Sequence, residues 1–133
     1  MSYLGAPGGA PSNVLAAASH LNMQTAFIGK VGNDVFGRLI RSTMERNGIC
    51  TDGLLRSETE PTTLAFVSLD ERGDRSFSFY RQHSADCMLR SAELPLTLLE
   101  QAGIFHFGSV SMTAEPVRSA TLEAVRHARS KGA

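Results

Sequence analysis

The sequence predicts an α/β protein: a partial three-layer sheet with helices on its faces, and a small antiparallel pair of strands set apart from it. Three observations carry this expectation. Apolar stripes at helical spacing alternate with short apolar runs ending in glycine, the pattern of strands covered on both faces. Between Thr62 and Arg81 that pattern gives way to two alternating strands about a charged turn. A length of 133 residues is that of one ordinary domain, enough for a single core.

The first element is a helix opened by a glycine-rich turn. Gly8-Gly9-Ala10-Pro11-Ser12-Asn13 runs into the apolar segment from Val14 to Leu21, and two glycines let the backbone approach a ligand with no side chain in the way. Ser12 or Asn13 is the expected N-cap. Such a turn suits a hydroxyl-rich or anionic small molecule. Thr25 to Val31 follows as a short apolar run and is expected to be a central strand. Asn33-Asp34 then caps a helix in which Val35, Phe36, Leu39, Ile40, Thr43 and Met44 recur at helical spacing until Asn47-Gly48 closes it.

Leu64 to Leu69 and Ser76 to Tyr80 flank Asp70-Glu71-Arg72-Gly73-Asp74, which predicts a hairpin. In its second strand Phe77 and Phe79 share a face with Arg81, and Ser76, Ser78 and Tyr80 share the other, so one side is expected to pack and the other to face a polar cleft. Ser91 to Leu94 predicts a helical turn and Leu96 to Leu99 a short helix. The run Ile104-Phe105-His106-Phe107, ending at Gly108-Ser109, predicts a buried strand. Pro116 opens a last helix with Val117, Ala120, Thr121, Ala124, Val125 and Ala128 on one stripe. In a three-layer sheet a final helix feeds another strand and a glycine turn follows one. Only seven residues precede Gly8, and the chain stops at Lys131-Gly132-Ala133, so the sequence reads as cut off at both ends.

Charge and motifs narrow the function classes. Thirteen basic and thirteen acidic residues cancel and the basic ones are scattered, which disfavours nucleic acid and an anionic membrane as partners. Cys50 and Cys87 lie in no cluster and are expected as reduced thiols, and no signal peptide or spanning segment is evident, so a soluble cytoplasmic protein is expected. Gly29-Lys30 is followed by Val31 and has no glycine five residues earlier, so it is not a Walker loop. Gly29, Gly32 and Gly37 lack the dinucleotide spacing and read as turn and packing positions. The four histidines share no metal-ligand spacing, and Gly108-Ser109-Val110-Ser111 is not a nucleophile elbow.

Taken together, Gly8-Gly9-Ala10-Pro11-Ser12-Asn13 and Phe27-Ile28-Gly29-Lys30-Val31-Gly32-Asn33-Asp34-Val35-Phe36-Gly37 stand in the order and spacing of a known signature. The chain resembles the amino-terminal part of PfkB/ribokinase-family carbohydrate kinases, and within them the fructokinases. Asn47-Gly48-Ile49, Thr51-Asp52-Gly53, Ala65-Phe66-Val67, Phe79-Tyr80-Arg81 with Ser84-Ala85-Asp86, and Ile104 to Ser109 extend the likeness.

The resemblance implies a Rossmann-like (ribokinase-like) α/β domain, a β lid over a sugar cleft, and ATP-dependent phosphorylation of a sugar hydroxyl. Residues 1–133 would form part of that domain, with the lid strands within about 54–81. It places Gly8, Gly9 and Asn13 against the sugar, with Tyr80 and Arg81 reaching it from the lid edge. An amide such as Asn13 both donates and accepts, as exchanging a hydroxyl's water shell requires. The family's catalytic base lies in a Gly-Ala-Gly-Asp motif that these residues do not contain. They also lack its Asn-x-x-Glu segment and nucleotide pocket. ATP and Mg2+ are therefore implied for the family, while no catalytic, cofactor-binding or metal-binding residue is assigned here, and the chain alone is expected to be inactive. Within the family, 2-keto-3-deoxygluconate or a riboside is the alternative to fructose. Outside it, the alternative is a non-catalytic sugar-binding or oligomerisation module. Self-association or a homodimer is expected through the lid or an exposed sheet edge.

Overall fold

The computed structural model describes residues 4–133. In chain order it contains α1 (Ala10–His20), β1 (Thr25–Gly32), α2 (Val35–Arg46), β2 (Ile49–Ser57), β3 (Leu64–Leu69), β4 (Arg75–Tyr80), α3 (Leu96–Glu100) and α4 (Val117–Ser130). Short 3-10 turns stand at Ala85–Met88, Ser91–Glu93 and Ser109–Met112.

β1 and β2 pair in parallel from Thr25 opposite Ile49 to Gly32 opposite Ser57, with α2 in the connection. Side chains alternate across this pair, so its two faces feed two cores. On one side Val31, Met44, Ile49 and Leu54 are buried with Leu15, Phe27 and Ile40 against them, which seats α1 and α2. On the other, Ile28 and Leu55 meet Leu89, Leu94, Leu99 and the stripe Val117, Ala120, Ala124 and Ala128, which seats α3 and α4. Three layers result, as the sequence predicts. The stripe holds for Thr121 too, while Val125 is half-buried. The three alanines are almost fully buried, and their small side chains let α4 lie close to its neighbours. The register of the pair slips between Ala26 and Ile28. Gly53 stands at that irregularity, where an added β-carbon would sit 2.7 Å from the Phe27 carbonyl oxygen, so the bulge requires glycine there.

β2 is the element that sequence periodicity misses. β3 and β4 form the antiparallel pair, from Leu64 opposite Tyr80 to Leu69 opposite Arg75. The turn between them is closed by Asp70, whose backbone N–H donates to the Asp74 carbonyl at 3.0 Å, with Gly73 at φ 83°.

Three expectations need correcting. Ile104 to Phe107 is not a strand: a run becomes one only when its N–H and C=O groups find a neighbouring chain, and among the described residues none lies beside it. Phe105 still packs on the α4 core, but Ile104 is 77% exposed. β1 is correspondingly not central among the described residues, where it has helices on both faces and a strand on one edge. Lastly, neither face of the hairpin packs. Phe77 and Phe79 stack on each other with centroids 5.9 Å apart, yet stay 53% and 66% exposed.

The core should respond as the packing dictates. Leu99, 1% exposed, becomes a cavity in Leu99→Ala, expected to cost about 2–5 kcal/mol in urea unfolding, whereas Leu96→Ala on the exposed side of α3 should cost under about 0.5 kcal/mol.

Candidate functional site

The candidate site lies where the hairpin joins the parallel pair. Asp34 is the N-cap of α2, as the sequence predicts, and its Oδ1 accepts from the Gly37 N–H at 2.7 Å. The same carboxylate takes two bonds from Thr62, Oδ1 from the hydroxyl and Oδ2 from the backbone N–H, both at 2.8 Å. Thr62 in turn accepts from the Gly32 N–H at 2.9 Å. Gly37 is confined to glycine because an added β-carbon would stand 2.2 Å from the Gly32 carbonyl oxygen. Burial raises the Asp34 pKa, but the Thr62 and Gly37 N–H groups and the Thr62 hydroxyl together outweigh it and hold the carboxyl below its ordinary range.

A second carboxylate holds the other leg. Asp86 sits in the 3-10 turn after β4, and its Oδ1 accepts from the hydroxyls of Thr63 and Ser84 while Oδ2 accepts from Arg81 Nε at 2.7 Å. Burial pushes its pKa up, and the Thr63, Ser84 and Arg81 bonds with the Arg81 charge bring it below the ordinary range. It stays ionised at neutral pH. Beneath it the Ala85 N–H donates to the Pro61 carbonyl at 2.8 Å, and His83 turns the chain at φ 52°, a conformation that costs about 1–2 kcal/mol for a residue with a β-carbon.

The expected substrate-binding residues fall into two groups. Gly8 and Gly9 are exposed ahead of α1, with Gly9 at φ 121° as its N-cap. The cap is therefore neither Ser12 nor Asn13. Pro11 at the start of the helix pulls both into its first turn, where the Ser12 hydroxyl donates back to the Gly9 carbonyl at 2.8 Å and the Asn13 N–H donates to it at 3.0 Å. Asn13 is exposed. The turn rests on Gly108, since a β-carbon there would meet Pro11 Cγ at 3.1 Å. Arg81 reaches the same segment from the hairpin, donating from Nη1 to the Thr113 hydroxyl at 3.1 Å and from Nη2 to the Val110 carbonyl at 3.3 Å. The segment 108–113 thus links the glycine turn to Arg81.

Arg81 also lines an open cavity of about 610 Å³ with Phe79, His83, Cys87, Thr113 and Glu115. Tyr80 does not line it. Tyr80 stands on the opposite face of β4, 66% exposed, edge-on to Phe66 at 5.5 Å. A second cavity of about 500 Å³ holds Lys30, Arg56, Glu58 and Glu93, where Lys30 pairs with Glu93 at 2.8 Å and Arg56 with Glu58 at 3.3 Å. These cations are matched by carboxylates. Cys50 and Cys87 are both free thiols. Among the described residues no group of three or more His, Cys, Asp or Glu side chains is placed to hold a metal ion. No described helix is long and apolar enough to cross a membrane.

Asp86, which the sequence shows only as part of Ser84-Ala85-Asp86, and Thr63 receive no role from the sequence. The signal was the hairpin register, because Leu64 opposite Tyr80 extends by one step to Thr63 opposite Arg81.

These features define a class of protein: a three-layer α/β unit with a β hairpin fixed by its two legs at the carboxyl ends of the parallel strands. Residues 3–133 match the pfkB family carbohydrate kinase, and the chain belongs to that family. It is 48% identical over 130 residues to fructokinase-2 of Oryza sativa subsp. japonica, covering 98% of this chain and 39% of that protein. Fructokinase from Xylella fastidiosa with bound ATP superposes with a TM-score of 0.89 at 41% identity, over 95% of this chain and 38% of that one. Fructokinase from Vibrio cholerae O395, solved in a fructose, ADP and calcium ion bound form, superposes with a TM-score of 0.80 at 34% identity, over 98% of this chain and 42% of that one. The chain spans about two fifths of the length of the relatives it matches.

The Asp34 latch has a pH signature. A carboxyl whose pKa is lowered by folding contributes stability above its unfolded pKa and loses it as pH falls through the folded one. Asp34→Ala is expected to cost about 1–2 kcal/mol at neutral pH, near the upper end for an N-cap. Urea midpoints of the two proteins should converge as acid protonates Asp34, and a gap that persists in acid would contradict the assignment.

Proposed function

We propose that this chain is the substrate-binding part of an ATP-dependent fructokinase, which transfers the γ-phosphoryl group of ATP to a fructose hydroxyl. The observation that supports it most is the match along nearly the whole chain to fructokinases, one of them solved with fructose and ADP. In this reading Gly8, Gly9 and Asn13 meet the sugar from the α1 turn, and Tyr80 and Arg81 meet it from the hairpin. ATP and Mg2+ bind elsewhere, and the enzyme is cytoplasmic. The chain has no Gly-Ala-Gly-Asp base or anion hole, so the 133 residues alone should not phosphorylate fructose. Phosphoryl transfer depends on positioning and charge stabilisation, and both reside in those missing groups.

A chimera tests this. With these residues in place of the matching segment of rice fructokinase-2, ATP-dependent phosphorylation of fructose is expected. Arg81→Ala in that chimera should raise KM for fructose by about tenfold or more, the loss of one charge-assisted hydrogen bond. A folded chimera that prefers a riboside or 2-keto-3-deoxygluconate would move the substrate within the family, and one that phosphorylates no sugar would defeat the proposal.

The hairpin also supports self-association. Val67, Leu69, Phe77 and Phe79 are all exposed, and in the register of the pair they share one face, an apolar patch of the kind that pairs between copies. Sedimentation of the pure chain at tens of micromolar, roughly where such surfaces associate, should show species larger than a monomer. A strictly monomeric chain would rule this route out.

A further inference from the structure

The Asp86 carboxylate touches both legs of the hairpin and the Arg81 guanidinium. Thr63 enters β3, and Arg81 and Ser84 leave β4. Thr63 and Ser84 stand 2.6 Å apart, oxygen to oxygen, both within reach of Oδ1. Ser84 is 1% exposed, so this junction excludes water on its inner side. Arg81 is planar, with five N–H donors in a fixed fork. Nε is taken by Asp86, one Nη1 hydrogen by Thr113 and one Nη2 hydrogen by Val110. Two donors remain without a partner among the described residues, and the side chain lines the 610 Å³ cavity. The Nε bond is the strongest restraint on where those two point, because it is the shortest of the three, is charge-assisted and is made to a part-buried carboxylate, whereas the contacts at 3.1 Å and 3.3 Å are longer and made to an exposed segment.

We infer that Asp86 is a positioning residue for substrate: it fixes the Arg81 guanidinium so that two N–H groups face the cavity, and it couples that orientation to both legs of the hairpin. The inference rests on the sugar-kinase reading for the identity of the ligand, a polyhydroxylated acceptor, but not for the geometry. Asp86 itself does not touch the ligand. Removing it should leave the chemistry intact and loosen the grip on substrate, a rise in KM with little change in kcat.

Arginine side-chain NMR on the 15N-labelled 133-residue chain tests the geometry directly. The Arg81 Nε–H signal, assigned by its absence in Arg81→Lys, should exchange with solvent slowly. In Asp86→Asn it should exchange at the rate of an exposed arginine such as Arg38, while in Thr63→Val it should stay slow even as the backbone amides at 62–64 become less protected. A wild-type Arg81 Nε–H that exchanges freely would overturn the inference without any variant, and so would one that stays slow in folded Asp86→Asn. In the rice chimera, Asp86→Asn should raise KM for fructose by about tenfold with kcat within about twofold, and equal losses in KM and kcat would count against positioning. An inactive parent chimera would instead count against the kinase reading, leaving the Arg81 exchange result to decide the role of Asp86.

Discussion

The structure depends on how a two-stranded hairpin with no packed face is held in place. A lone hairpin is marginal in water because it buries too little to offset the entropy of ordering it. Here it is fixed at its base by two carboxylates, Asp34 on the entry leg through Thr62 and Asp86 on both legs through Thr63, Ser84 and Arg81. Each is buried enough for desolvation to oppose its charge and each is hydrogen-bonded enough to remain ionised. Charge-assisted bonds in a partly dry junction are the strong kind, so a few of them do for the hairpin what a core does for the sheet.

The α/β layer supplies the platform. β1 and β2 bring Gly32 and Ser57 to one end of the parallel pair, and α2 starts there. Glycine at 32 and 37 lets β1, the cap of α2 and the hairpin base approach within hydrogen-bond distance. Gly32 and Gly37 therefore serve close backbone packing, as the sequence predicts. The candidate ligand groups sit on either side of the 108–113 segment, one set on a helix start and the other on the hairpin.

Much of this was legible in the residues. α2 and α4 were readable because their apolar stripes repeat at helical spacing and their ends carry Asp34, Asn47-Gly48 and Pro116. The hairpin was readable from its alternation and charged turn. Four things were not. β2 escaped because its polar Thr51 and Asp52 and its Gly53 break the alternation at the bulge. The run from Ile104 to Phe107 has a strand's composition, but pairing is a property of two segments and composition reports one. The Asp86 junction needed the hairpin register, because its bonds from Thr63 reach residues 21 and 23 positions away. Ser12 and Asn13 were misread as caps because a proline at position 11 starts the helix earlier than a polar side chain would.

The exposed hairpin has a mechanical consequence. Six-residue strands at about 3.3 Å per residue make an arm of roughly 20 Å projecting from legs joined at Thr63, Arg81 and Asp86. A rotation of about 10° at those legs would sweep the Asp70–Asp74 tip through about 3 Å, by the geometry of an arm that long. Arg81, beside the fulcrum, would move only a fraction of that. In any such rotation the tip would move several times farther than the guanidinium, with Asp86 at the fulcrum.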